Sequence, residues 1–148
     1  MKSTSPERTI KVVIDTNVLI SAGVSKDGNP AQIFELLLIE AIENYTSEEI
    51  ILEVIDVFNR PKFTNIITGT DKKFIINKYK FLSKNIIPKQ KFNIVKDDPK
   101  DNKFIDCAVE ANAEFLISGD PHLLEIKKFQ EIKVVSPKEF LENFKTKL

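Results

Sequence analysis

The chain has 148 residues, 42% of them hydrophobic and 30% charged, with 22 basic and 22 acidic side chains, one Cys, one His and no Trp. That is enough for one ordinary domain with a core of its own; the lone Cys107 excludes a disulfide framework or a multi-cysteine zinc site. A formal charge of zero argues against a purely electrostatic nucleic-acid binder, residues 1–10 lack the apolar stretch of a secretory signal, and no apolar run is long enough to span a membrane. A cytoplasmic location is the expectation.

In chain order, Lys11 to Ile14 read as a buried parallel strand ending at Asp15. Residues 17 to 23 and 30 to 42 read as helices, with Gly28-Asn29 as the turn between them and Pro30 in a first helical turn. A short strand fits 44 to 46, and Thr46 with Glu49 has capping-box spacing for a helix that stops near Arg60-Pro61. A Lys-rich helix is expected over 71 to 85 and a strand over 93 to 95. A helix over 101 to 112 is introduced by Asp98-Pro99, and a strand follows at 115 to 118. A short helix at 121 to 126, a strand at 133 to 135 and a helix from Pro137 complete the chain. Without a repeat or linker, residues 1–148 read as a single domain. Alternating strands and helices predict an α/β fold, a three-layer α/β/α sandwich around a mostly parallel sheet, whose ligands bind at the carboxyl ends of the strands.

The charges are balanced only in total. From Asp27 to Asp56 there are eight acids and no Lys or Arg, whereas Asp71 to Lys103 carries ten Lys against four acids. The polar residues expected at the strand ends are acidic. Asp15 follows the first strand, Asp120 follows the 115 to 118 strand, and Asp101 opens the helix after the 93 to 95 segment. Glu53 has Ile50, Val54, Val57 and Phe58 on its own helical stripe, so its carboxylate needs a partner. At 100° per residue Asp101 shares a face with Ile105 and Ala108, whereas Asp106 falls with Lys103 and Glu110 on the polar face and reads as surface.

Four converging carboxylates repel one another unless a cation neutralises them. Mg²⁺ or Mn²⁺ suit oxygen ligands and a site built from a few carboxylates. Such a site would polarise a phosphodiester and activate water, so hydrolysis of a nucleic-acid backbone is the chemistry expected. No Ser-His-Asp or Cys-His nucleophile competes, since His122 is the only histidine and reads as covering the turn at 121 to 126. Arg60 and Lys62 are candidate phosphate contacts, while Cys107 and the eleven Phe read mainly as core. Transfer through an aspartyl phosphate is disfavoured because no second Asp lies two residues beyond Asp15. An inactive RNA- or protein-binding scaffold is the alternative.

Val-Ile-Asp15-Thr16-Asn17, Glu53 in Ser-Glu-Glu-Ile-Ile-Leu-Glu, Asp98-Pro99-Lys100-Asp101-Asn102-Lys103-Phe104 and Ser118-Gly119-Asp120 together resemble the PIN-domain nucleases. Gly28-Asn29-Pro30, Arg60-Pro61-Lys62-Phe63 and the closing Val-Val-Ser-Pro-Lys-Glu-Phe resemble the subgroup described as toxin components of toxin–antitoxin systems, similar to VapC-type toxins. The resemblance implies a Mg²⁺- or Mn²⁺-dependent ribonuclease with a catalytic set of Asp15, Glu53, Asp101 and Asp120, an RNA substrate, an antitoxin partner and a homodimer. By the same likeness Asp15, Asp101 and Asp120 hold metal, Glu53 completes the pocket or positions water, and Thr16 or Asn17 orients a carboxylate or meets the scissile phosphate.

Overall fold

A computed structural model of the chain describes residues 9–146; most of the opening segment that was read for a secretory signal, residues 1–8, lies outside the described residues, as do residues 147–148. Six strands form one sheet in the order β3-β2-β1-β4-β6-β5. They are β1 (Ile10–Ile14), β2 (Ile42–Thr46), β3 (Lys84–Asn85), β4 (Phe115–Ile117), β5 (Lys128–Phe129) and β6 (Ile132–Val135). All pairings are parallel except β5 with β6. Seven α-helices accompany them among the described residues: α1 (Thr16–Val24), α2 (Asn29–Leu38), α3 (Glu48–Phe58), α4 (Gly69–Leu82), α5 (Asn102–Ala111), α6 (Pro121–Leu124) and α7 (Pro137–Thr146). Helix α5 packs on β1, β2 and β4, while α2 meets β2 and α7 meets β4 and β6, completing the three-layer α/β/α sandwich.

The central strands are apolar because helices cover both of their faces. Val12, Val13, Ile14, Leu116 and Ile117 are fully or almost fully buried, as are Ile50, Phe104 and Phe140 from the helices. Cys107 packs in this core as the sequence suggests, and burial pushes its thiol up to about 12. In the register of β1 against β4, Ile14 lies beside Ile117, and the Asp15 N–H donates to the Ile117 carbonyl over 2.9 Å. Residues 15 and 118 to 120 therefore leave the sheet side by side.

Several boundaries differ from the sequence reading. The helix expected to reach residue 42 ends at Leu38, because Glu40 adopts a left-handed φ of 57° and the Ala41 N–H closes on the Leu36 carbonyl. Helix α3 is capped by Ser47, not Thr46: the Ser47 hydroxyl accepts from the Ile50 N–H. Thr46 instead belongs to β2, where its hydroxyl accepts from Tyr79 Oη over 2.7 Å. The short antiparallel β5 was not expected; it turns back onto β6 through Gln130, also at positive φ.

The strand expected at 93 to 95 does not form. Asn102 replaces a sheet neighbour for this segment: its Oδ1 accepts from the N–H groups of Ile94 and Val95, both at 2.9 Å. Its Nδ2 donates to the carbonyls of Val95 and Pro99, both at 3.1 Å. An extended backbone thus satisfies its polar groups on one side chain rather than on a ladder. Asn102→Ala would strand these groups, and we expect a loss of about 3 kcal/mol in urea denaturation, together with faster amide exchange at Ile94 and Val95.

Candidate active site

The carboxyl ends of β1 and β4, the start of α5 and the inner side of α3 enclose a cleft of about 340 Å³. All four acids singled out from the sequence, Asp15, Glu53, Asp101 and Asp120, line it, and Asp98 joins them. Asp98 was read as the mark of the following helix and as part of the resembling motif, not as a site residue. It half-faces solvent just before a 3-10 turn at Pro99–Asp101, which brings its carboxylate back toward Asp101.

Ser118 links two of the strand ends. Its hydroxyl donates to Asp15 Oδ2 over 2.6 Å and accepts the Asp120 N–H over 2.9 Å, so one buried side chain orders both acids. Asn17 Oδ1 accepts from the Gly119 N–H, tying the start of α1 to the same turn. Asp120 caps α6 by accepting the His122 N–H. The His122 ring is exposed outside the cleft, its Nδ1 4.0 Å from Asp120 Oδ1.

Glu53 has the partner its position requires, and has it twice. Its Oε2 accepts from Thr16 Oγ1 over 2.5 Å, and its Oε1 lies 2.6 Å from Lys103 Nζ. Lys103 also donates to the Lys100 carbonyl over 2.9 Å. This corrects the helical-wheel placement of Lys103 and Asp106 on a solvated face, since both are 8% exposed. Helix α5 is covered on that side by the extended segment before it, and Asp106 accepts the Phe92 N–H over 2.7 Å. Burial raises the Asp106 carboxyl against this hydrogen bond.

Carboxyl oxygens of Asp98, Asp101 and Asp120 lie within 4.8 Å of one another. Among the described residues, Asp101 Oδ2 is a buried side-chain oxygen with no hydrogen-bond partner. Three close oxygen donors, one of them desolvated and unsatisfied, fit a hard divalent cation. Asp15 stands beside this trio from the end of β1. The rest of the lining is of another character: Arg60 and Lys62, just past the end of α3, and Lys100, within the Asp98–Asp101 turn itself, supply cations, and Val57 and Phe63 supply apolar surface. Arg60 is held by Asp56 at 3.2 Å and Lys62 lies over the Phe63 ring, 5.1 Å from its centroid.

Burial raises Asp15 to about 6, with the charges of Glu53 and Asp120 adding to it and the Ser118 hydroxyl opposing. Asp101 is pushed up to about 8, by burial first and then by its hydrogen bond with Asp120 and the neighbouring acids. Both acids take up protons on folding. Their stabilising contribution is complete below the ordinary value of 3.8 and is lost as pH rises through about 6 for Asp15 and about 8 for Asp101. In EDTA, the melting temperature should therefore fall between pH 4 and pH 8. Asp101→Asn should flatten that fall and melt roughly 5 °C above the unsubstituted chain at pH 8, as read by circular dichroism.

Comparison with known proteins bears on the family and the fold. A PIN domain family model matches residues 11–122. An uncharacterized protein of Methanocaldococcus jannaschii, MJ1680, is 38% identical over 144 residues, covering 91% of this chain and 92% of its own. The crystal structure of PAE2754 from Pyrobaculum aerophilum superposes with a TM-score of 0.63 at 10% identity, over 93% of this chain and 90% of that one, a likeness of fold. The family match spans both strand-end aspartates, Glu53 and the Asp98–Asp101 turn, and the chain belongs to the PIN-domain family.

Proposed function

We propose that the protein is a metal-dependent endoribonuclease that hydrolyses RNA phosphodiester bonds with Mg²⁺ or Mn²⁺. The observation that carries this reading is the cleft in which Asp98, Asp101 and Asp120 converge within 4.8 Å beside Asp15 and Glu53. PIN domains are typically metal-dependent nucleases acting on nucleic acids, which supports the same class of reaction. Asp98, Asp101 and Asp120 would hold the cation, and Asp15 would complete its surroundings from the end of β1. When bound, the cation supplies Lewis acidity toward the phosphate and lowers the pKa of water.

The chain's own residues supply the rest. Ser118 keeps the Asp15 carboxylate turned toward the cleft, and Thr16 with Lys103 keeps Glu53 fixed, placed to orient the attacking water. Arg60, Lys62 and Lys100 in the lining of the cleft suit the flanking phosphates of a strand, and Phe63 offers a ring beside Lys62.

The resemblance of Gly28-Asn29-Pro30 and Arg60-Pro61-Lys62-Phe63 to toxin components supports a more specific role. On that basis we place the protein as the toxin of a toxin–antitoxin pair, working in the cytoplasm as a homodimer restrained by an antitoxin protein. Among the described residues no helix is long and apolar enough to cross a membrane.

The test is cleavage of a mixed RNA pool by the pure protein with Mg²⁺, Mn²⁺ or EDTA. Cutting is expected with either metal, none in EDTA, and a loss on the order of 10²-fold or more in Asp15→Asn and Asp101→Asn. Cleavage that persists in EDTA, or in both variants, would overturn the assignment. Metal-loaded, folded protein that binds RNA without cutting it would make the scaffold reading the right one.

A further inference from the structure

The five carboxylates of the cleft divide by what already satisfies them. Asp98, Asp101 and Asp120 have oxygens within 4.8 Å of one another, and Asp101 Oδ2 is buried without a partner. Glu53 is the opposite case, with one oxygen taken by the Thr16 hydroxyl and the other by the Lys103 ammonium. That ammonium is not a loose surface charge. Lys103 is 8% exposed, its Nζ is 2.6 Å from Glu53, and it also donates to the carbonyl of Lys100, in the very turn that runs from Asp98 to Asp101. A cation fixed on both sides and shielded from water holds its carboxylate far more firmly than an exposed Lys would.

We propose that the Lys103 ammonium is a built-in cation of this cleft, standing beside Glu53 where a second divalent ion would otherwise sit, so that the chain takes one divalent cation, at Asp98, Asp101 and Asp120. The inference rests on the metal-dependent reading above and adds to it the number of ions and the ligand set. Lys103 acts through Glu53 and is a positioning residue: it keeps that carboxylate oriented and engaged away from the metal. The arrangement is also economical in charge, because a second divalent ion would have to displace an ammonium already paired and buried.

Stoichiometry separates this role from a merely structural one. The full chain is titrated with MnCl₂ in the absence of RNA, free Mn²⁺ being followed by electron paramagnetic resonance and heat by calorimetry. One Mn²⁺ per chain is expected. Lys103→Met frees Glu53 and removes a positive charge, so it should bind a second Mn²⁺ or hold the first roughly tenfold more tightly. Lys103→Arg keeps the charge and should stay at one. Glu53→Gln/Lys103→Met removes the pair as a neutral unit and should keep one Mn²⁺ with a Kd within about threefold of the unsubstituted chain.

Two strong sites in the unsubstituted chain would overturn the proposal. So would a folded Lys103→Met protein that binds Mn²⁺ no more tightly, or a double variant whose affinity falls by roughly tenfold, which would make Glu53 a ligand. Where Lys103→Met does not fold, the unsubstituted stoichiometry and the double variant decide. Folded protein that binds no Mn²⁺ at all would instead defeat the metal-dependent reading itself, so the two failures are distinguishable.

Discussion

Asp15 and Asp101 are both taken out of water beside other carboxylates, and this crowding of like charge governs the rest of the cleft. A lone surface carboxylate would impose nothing on its neighbours. Five at the carboxyl end of one sheet raise the free energy of the folded chain at neutral pH unless each is neutralised, hydrogen bonded or protonated. The surrounding polar residues follow from that demand: Ser118 toward Asp15, Thr16 and Lys103 toward Glu53, and a raised proton affinity on Asp101. A fold under selection for stability alone would have placed apolar side chains there, so the persistence of the strain is itself a mark of function.

The parallel sheet and one asparagine set where those charges stand. Pairing of β1 with β4 fixes Asp15 beside Ser118 with no freedom of register, because a slip by one residue would turn every core side chain outward. Asp98 and Asp101 have no such ladder beneath them. They are carried by a short 3-10 turn at the end of an extended segment whose backbone near Val95 is held by the Asn102 side chain. Precision on this side of the cleft thus depends on side-chain hydrogen bonds, which break singly, whereas precision on the strand side depends on a cooperative sheet.

That difference explains what could be read in the sequence. Asp15 and Asp120 were legible because an apolar β-branched run followed by a polar residue announces both a strand and its end. Glu53 was legible because a carboxylate flanked by Ile50 and Val54 stands out on a helical stripe. Asp98 was hidden by its own usefulness as a signal: Asp-Pro before a helix has a sufficient local explanation, and only the fold of the turn shows that its carboxylate returns to Asp101. Lys103 and Asp106 were misplaced for another reason. Helical periodicity tells which residues share a face but not what covers that face, and here residues 86 to 98 cross it without regular structure of their own, a path that no period reveals. The missing strand at 93 to 95 and the buried lysine are therefore one error with one cause.

The cleft also explains why a chain of zero net charge suits a polyanion. An acidic trio on its own repels phosphate, and a basic wall on its own binds it without acting on it. Here both line one cleft of about 340 Å³, with Arg60, Lys62 and Lys100 sharing it with the aspartates. On the proposed reading, the strand is drawn along the cationic side chains, while the scissile phosphate is tolerated among the acids only once a divalent cation has reversed the local sign. Binding and hydrolysis then depend on the same ion, and the bare protein is held back from its substrate by the carboxylates that make it an enzyme.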